Sequence, residues 1–465
     1  MMRFDESSAT WVFVQQGVSR LLVAFKFFLL ARLLGPESIG LIAAALMALS
    51  IAESLTEMGL THALIQQRQL LDQRSLDALW TANAMRGALL SVVLFVSSAP
   101  VATFMGIPES KMLLQLVALV PFARCMTSMH VAIAQRERRF RTVSMLTMGF
   151  VIVDFVMSSV AALAYHDVFW VLAAMPVSEF LKAIASHIVF SSRPRLNFDT
   201  SPLGDVMGFG RWIWASGLLI MIVNQLDRLI TVKTFGAQAL GLYQTTSRLA
   251  QFGVADFGTA LNQYLFPNFA ELARKDKERA VTYALALFSH LGAIGLVLAT
   301  YFCVTAPEII SLALGNKWAA AVPFFRIFVY LMVASVLAGM LNAYLRGTGR
   351  PSRVAFATLA QLIVLASLSA IAVPFLGAIG VALASAVAVY VCCAIMLREL
   401  ISDARNEIKQ LRPIVTIGVA ISVVVALIGY ILPDAPYRIV LLGILSVLAI
   451  VLPMRKLRSS FALIA

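Results

Sequence analysis

Ionisable side chains recur in stretches that are otherwise almost wholly apolar, and they are the residues of this chain with chemistry to offer. Arg20 and Lys26 lie in one such stretch, and Asn224, Asp227 and Arg228 in another. Arg248 and Asp256 lie in a third, and Glu53 and Glu57, one helical turn apart, in a fourth. Arg86, Arg124, Asp154, Glu179, Lys182 and Arg326 are further examples. A charge in a low-dielectric setting is costly unless it meets a partner or a wet cavity. Guanidinium and ammonium groups held there bind anions: arginine grips a phosphate with two parallel N–H bonds, and lysine acts as a point charge. Arg20, Lys26, Arg228, Arg248 and Asn224 are therefore the expected ligands of a phosphate- or diphosphate-like anion. Asp227, Glu53, Glu57 and Asp256 are the candidate coupling carboxylates. Structural readings stand beside these. Lys26, Arg86 or Arg326 could snorkel to an interface, Asp227 could merely neutralise Arg228, and Glu179 and Lys182 are spaced as a pair on one helix.

Helices must position these groups. At about 100° per residue, Gln16, Ser19, Arg20 and Lys26 fall within roughly one third of a helix circumference, and Asn224, Asp227, Arg228 and Thr231 do the same. About fourteen apolar stretches are long enough to cross a bilayer, from near 10–33 and 39–65 to 413–432 and 437–453. The 465 residues are 60% hydrophobic and only 13% charged. A soluble domain averages about 25% charged, and the mean hydropathy of +0.87 suits a chain whose solvent is lipid. The fold class expected is an all-α polytopic membrane protein with two parallel six-helix lobes and two extra C-terminal helices.

The net charge of +13 would suggest nucleic acid in a soluble protein. Here it is concentrated on every second connection, at Arg136–Arg141, Arg274–Arg279, Arg346–Arg353 and Arg398–Arg412. Of the 37 Lys and Arg residues, 23 fall in that set of connections, five in the alternate set and nine inside spans. This is the positive-inside pattern, so no nucleic-acid partner is expected and membrane lipids are. An even number of spans puts both termini in the cytoplasm of a bacterial inner membrane. Met1–Glu6 leads into a long span bearing Arg20 and Lys26, which does not read as a cleavable leader.

Residues 34–41, Leu-Gly-Pro-Glu-Ser-Ile-Gly-Leu, correspond to residues 235–242, Phe-Gly-Ala-Gln-Ala-Leu-Gly-Leu. Each follows the first span of its half, which implies a parallel repeat about an axis along the membrane normal. The alternative is that Gly-x-x-x-x-Gly turns simply recur in short loops. The expected divisions are 1–195 and 196–400 as lobes and 401–465 as two added helices with a basic tail. Between 353–375 and 378–397 only Pro374 to Gly377 intervene, which predicts a tight hairpin.

Enzymatic motifs are absent. No phosphate-binding Gly-x-x-x-x-Gly-Lys-Ser/Thr loop occurs. Five scattered histidines, at 62, 130, 166, 187 and 290, assemble no catalytic or metal constellation, so catalytic residues, metals and cofactors are all expected to be none. Cys125, Cys303, Cys392 and Cys393 read as small buried hydrophobes.

Several segments resemble a known family. Ala31-Arg32-Leu33-Leu34-Gly35-Pro36-Glu37-Ser38-Ile39-Gly40 resembles the outer-loop signature of polysaccharide-repeat flippases of the Wzx type. Asn224-Gln225-Leu226-Asp227-Arg228, with Phe235-Gly236, Leu240-Gly241-Leu242-Tyr243 and Phe266-Pro267, is similar to their seventh and eighth helices. These belong to the multidrug/oligosaccharidyl-lipid/polysaccharide exporter superfamily, and the likeness is to its exopolysaccharide branch. The resemblance implies a two-lobed bundle of alternating access. It also implies an undecaprenyl-diphosphate-linked glycan as cargo, moved from inner to outer leaflet for exopolysaccharide or lipopolysaccharide synthesis, with a polysaccharide polymerase and export machinery as partners. Asp227 and Arg228 match the family motif directly, whereas Arg20 and Lys26 match only in character. Two rival functions are a cation-coupled multidrug antiporter of the same superfamily and a non-transporting membrane subunit of a polysaccharide assembly complex.

Overall fold

A computed structural model describes residues 9–56, 72–191, 194–199, 201–252, 254–404, 412–432 and 438–446. Among them every regular element is helical. The first helices are α1 (Ala9–Leu34), α2 (Pro36–Thr56) and α3 (Gln73–Phe104). Then come three short ones, α4 (Lys111–Val117), α5 (Leu119–Cys125) and α6 (His130–Arg136). They are followed by α7 (Phe140–Tyr165), α8 (Val168–Val189) and α9 (Ser201–Gln251). The second part of the chain holds α10 (Val254–Lys275), α11 (Lys277–Val304), α12 (Ala306–Leu314), α13 (Val322–Gly347), α14 (Pro351–Asp403) and α15 (Arg412–Ile431).

Lipid dictates this choice, because a backbone in hydrocarbon must satisfy its hydrogen bonds within its own segment. Seven of the described helices are long and apolar enough to cross a membrane, or eight if one bent pair is a single span. The 53 residues of α14 would run about 80 Å at ~1.5 Å per residue, far beyond a ~30 Å hydrocarbon core. The chain breaks at Gly377 (φ 59°), and Gly380 backs against the Ala372 carbonyl. The expected hairpin is thus formed by one glycine reversal. The 51-residue α9 breaks likewise at Gly236 (φ 76°), in the loop read from sequence as joining the seventh and eighth spans.

The chain divides into two compact units, Met1–Gly241 and Leu242–Ala465. The core of the first is built of Ala44, Ala45, Met47, Leu113, Leu114, Val117, Val120 and Leu172 with Val232 and Leu240 of α9. Gly35 (φ 90°) and Gly236 hold left-handed conformations at the matching turns of the internal repeat, a geometry that glycine adopts without steric cost. Beyond them α2 and α9 touch backbone to backbone. A Cβ on Gly40 would overlap the Ala237 carbonyl, and one on Gly241 would overlap the Pro36 carbonyl. The contact is reciprocal: Pro36 and Gly40 stand to α9 as Ala237 and Gly241 stand to α2. On the 57–72 side, Asp72 caps α3 by accepting from the Ser75 N–H at 3.1 Å. Hydrogen bonds from the Ser75 side chain and backbone hold the Asp72 carboxyl below the usual carboxylate range.

The core of the second unit gathers Leu265, Phe269, Leu285, Met340, Leu341, Tyr344, Leu345, Cys392, Cys393 and Met396. A charged staple ties its helix ends together. Asp403 accepts from the Tyr344 hydroxyl at 2.9 Å and pairs with Arg350, while Arg353 reaches Glu399 at 3.4 Å. Asp403→Ala is expected to cost about 2 kcal/mol, because charge-assisted bonds to a mostly buried carboxylate are lost together. Thermal unfolding in detergent measures this, and a loss under about 0.5 kcal/mol would make the staple ornamental. Deeper in the unit, Arg438 pairs with Glu308 at 3.1 Å with both side chains under 10% exposed and donates to the Gly429 carbonyl. A largely buried pair of this kind ties residues 438–446 to α12 and α15.

Candidate functional site

The charges of the first unit converge on Arg124. This residue sits in the last turn of α5, just before a 56° bend that separates α5 from α6. A bend frees carbonyls that a continuous helix would have bonded, and side chains take them up here. Asn83 donates to the Cys125 carbonyl at 3.1 Å, Trp80 donates to the Met126 carbonyl at 3.2 Å, and His187 Nε2 lies 2.8 Å from the same oxygen. Ser186 Oγ accepts from the Ser128 N–H at 3.0 Å. The break is therefore a built feature rather than a frayed end.

Arg124 spans two carboxylates. Its Nη1 reaches both oxygens of Glu53 on α2, at 3.0 and 2.9 Å, and its Nε donates to Glu179 on α8 at 3.0 Å. Glu179 also takes Lys182 at 3.3 Å, so the pairing read from their spacing is real but is one link of a longer chain. Arg86 adds a cation nearby, donating to the Thr56 carbonyl at 2.8 Å and to Cys125 Sγ at 3.5 Å. The Arg124 side chain is 37% exposed and that of Glu53 29%, so the cluster is only partly covered by protein. With both carboxylates and all three cations ionised, its net charge is positive, which suits a place that receives an anion.

The residues expected from sequence fall in several places. Glu53 is in this cluster. Gln225 of α9 donates to Ser50 Oγ at 3.3 Å, and Ser50 lies one turn before Glu53, so the Asn224–Arg228 stripe abuts the helix that carries Glu53. Within that stripe Asp227 accepts from the Arg228 N–H at 2.8 Å, and Arg228 Nη1 donates to Gln225 at 3.4 Å. Thr231 Oγ1 donates to the Asp227 carbonyl at 2.7 Å. Asn224 is exposed. Lys26 is taken by Asp154 of α7 at 2.7 Å, a pairing that ties α1 to α7. Arg20 on α1 and Arg248 on α9 are exposed, with Arg248 in the second unit. Glu57 and the side chain of Asp256 lie outside the described residues.

Arg124, Glu179, Lys182 and Arg86 were visible in the sequence as charges in apolar stretches but were not chosen as ligands. Apart from the Glu179–Lys182 spacing, separations of tens of residues give no sign that they meet. The one usable signal was Arg124 itself, a lone cation beside Pro121 in a stretch that ends at Ser128 and His130.

The fold and the cluster define a multi-pass helical membrane protein with paired charges on its spanning helices. The chain belongs to the family described as "Polysaccharide biosynthesis protein", which matches residues 29–323. Over 328 residues it is 22% identical to the lipopolysaccharide biosynthesis protein WzxC of Escherichia coli K12, covering 69% of this chain and 65% of that one. It is 26% identical over 309 residues to the teichuronic acid biosynthesis protein TuaB of Bacillus subtilis 168, covering 64% and 62%. The chain thus spans slightly less than two thirds of the length of these curated relatives. Its fold superposes on that of the lipid II flippase MurJ in an inward closed conformation, with a TM-score of 0.74 and 12% identity over 98% of this chain and 100% of that one.

Proposed function

We propose that this protein translocates an undecaprenyl-diphosphate-linked oligosaccharide repeat unit from the inner to the outer leaflet of the bacterial inner membrane. The observation that carries this reading is a lipid-flippase fold with cations held inside its spanning helices. Arg228, Arg20, Lys26 and Asn224 of the first unit are assigned to the diphosphate and first sugar, and Arg124 joins them; Arg248 keeps its assignment as an anion ligand within the second unit. In this reading Lys26 exchanges Asp154 for the incoming anion. The lobes run 1–195 and 196–400 with 401–465 appended, both termini are cytoplasmic, and the glycan passes on to polymerase and export machinery. The reciprocal Gly40 and Gly241 contacts support the parallel repeat that such lobes require.

Alternating access needs no bond chemistry. An inside-negative potential drives anions outward, and one charge moved through 100 mV is worth about 2.3 kcal/mol. Two unneutralised phosphate charges therefore gain about 5 kcal/mol. Protonation or cation uptake at Asp227, Glu53, Glu57 or Asp256 could add to this.

Proteoliposomes test the proposal. A fluorescent polyprenyl-diphosphate disaccharide in the outer leaflet is quenched by an added reductant, and appearance of label in that leaflet reports flipping. The intact protein should accelerate it, Arg228→Ala should slow it about ten-fold, and Arg228→Lys should keep part of the rate. Wild-type flipping by Arg228→Ala would remove that residue from the site. Extrusion of cationic dyes with no movement of the glycolipid would instead assign the protein to cation-coupled drug antiport.

A further inference from the structure

A groove of about 480 Å³ runs along the outside of the first unit between α7 and α8. Met145, Leu146 and Phe150 line it from α7, and Ala185 and Val189 from α8, with Arg141 at one end. Positions 141, 145 and 149 recur every fourth residue, so they share one helix face. Gly149 lies on that face, and a Cβ built there meets nothing within 4 Å. Two small residues, Gly149 and Ala185, thus hollow a channel between two otherwise bulky helices.

The two ends differ in kind. Arg141 begins the loop-proximal end, in the Arg-rich connection that the charge pattern puts on the cytoplasmic side. Arg138, Arg139 and Arg141 have no ion-pair partner among the described residues. Two of them rest instead on aromatic rings: Arg139 lies 5.8 Å from the Phe190 ring centroid, and Arg141 lies 5.6 Å from that of Trp11. A cation–π contact engages the flat face of a guanidinium and leaves its N–H edge free to fork onto an oxyanion. Trp11 beside Arg141 is also the residue type that marks the head-group level of a bilayer. The other end, at Phe150, is wholly apolar. From Arg141 to Phe150 the helix rises about 14 Å at ~1.5 Å per residue, close to the ~15 Å depth of one leaflet's hydrocarbon.

We propose that the α7–α8 groove is a binding site for one anionic glycerophospholipid of the inner leaflet, with an acyl chain along Met145, Leu146 and Phe150 and its phosphate on Arg141 and Arg139. The length selects this occupant: about 14 Å from Arg141 to Phe150 matches the ~15 Å hydrocarbon depth of one leaflet, which suits a single acyl chain and leaves most of a long polyprenyl chain outside. The charge at the mouth selects an anionic head group over a zwitterionic one. The site is separate from the Arg124 cluster and stands whether or not the cargo is a lipid-linked glycan.

Native mass spectrometry of the full, delipidated chain in mild detergent tests it, titrated with dioleoyl phosphatidylglycerol or dioleoyl phosphatidylcholine. Each guanidinium near a head group favours the anionic lipid about five-fold. The first phosphatidylglycerol bound should therefore lose about five-fold in affinity with Arg141→Gln and about 25-fold with Arg139→Gln added, while phosphatidylcholine is unaffected. Gly149→Leu should remove the tight event for phosphatidylglycerol by filling the channel. The two arginines are on the surface, so their variants decide the matter even if Gly149→Leu perturbs folding. An unchanged preference for phosphatidylglycerol in the double arginine variant would overturn the proposal. Tighter binding of farnesyl diphosphate than of phosphatidylglycerol at the same residues would hand the groove to an isoprenoid and also overturn it.

Discussion

Arg124→Ala is expected to cut lipid-linked glycan flipping by roughly ten- to a hundred-fold and to lower stability by about 2 kcal/mol. The first figure is the loss of one charge-assisted contact to an anion, ~1.5–3 kcal/mol. The second follows from stranding Glu53 and Glu179, whose pairing with Arg124 is the centre of the cluster. Breaking a fully buried pair costs about 3–5 kcal/mol. The Arg124 side chain is 37% exposed, so solvent softens that penalty. One experiment separates the two effects. In Arg124→Met with Glu53→Gln and Glu179→Gln, all three charges leave together and stability should return to within about 1 kcal/mol of wild type. Flipping should stay low, because the anion has lost its contact with the Arg124 guanidinium. Recovery of flipping in that triple variant would mean that Arg124 serves only to neutralise its neighbours.

Gly40→Val should destabilise the first unit by more than ~3 kcal/mol, and Gly241→Val should do the same. At each site the added Cβ falls on a carbonyl of the facing helix, Ala237 for Gly40 and Pro36 for Gly241. Flexible side chains could swing aside, but a helix backbone cannot, so α2 and α9 must separate. Close approach through small residues is also how spanning helices associate when lipid gives them no hydrophobic push. Yield of monodisperse protein and its melting temperature in detergent are the readouts. A valine at either site that leaves both unchanged would show that the helices do not cross there. Gly149→Leu is the contrast, since that glycine faces open space and its substitution should cost under about 1 kcal/mol.

Much of the architecture was legible before any coordinate. Hydropathy and the alternation of basic loops reported helices and membrane, because a ~30 Å core requires runs of about twenty apolar residues. The glycine turns at Gly35, Gly236 and Gly377 were legible for a local reason, since each needs a conformation that other residues resist. The polar stripes on α1 and α9 followed from helical periodicity alone.

Pairing was not legible. Lys26 carries no sequence sign of its partner, and tertiary structure sets it against Asp154. Arg124 was one charge among many until α2, α5 and α8 brought it between Glu53 and Glu179. By itself, then, the sequence determined that the chain is helical and membrane-spanning, that it turns at Gly35, Gly236 and Gly377, and which side chains are out of place in apolar stretches, for these depend on neighbours within a turn or two. Only the tertiary structure decided which charge answers which, because helices that are tens of residues apart in the chain become neighbours through packing. A charge in low dielectric takes its meaning from the partner a few ångströms away.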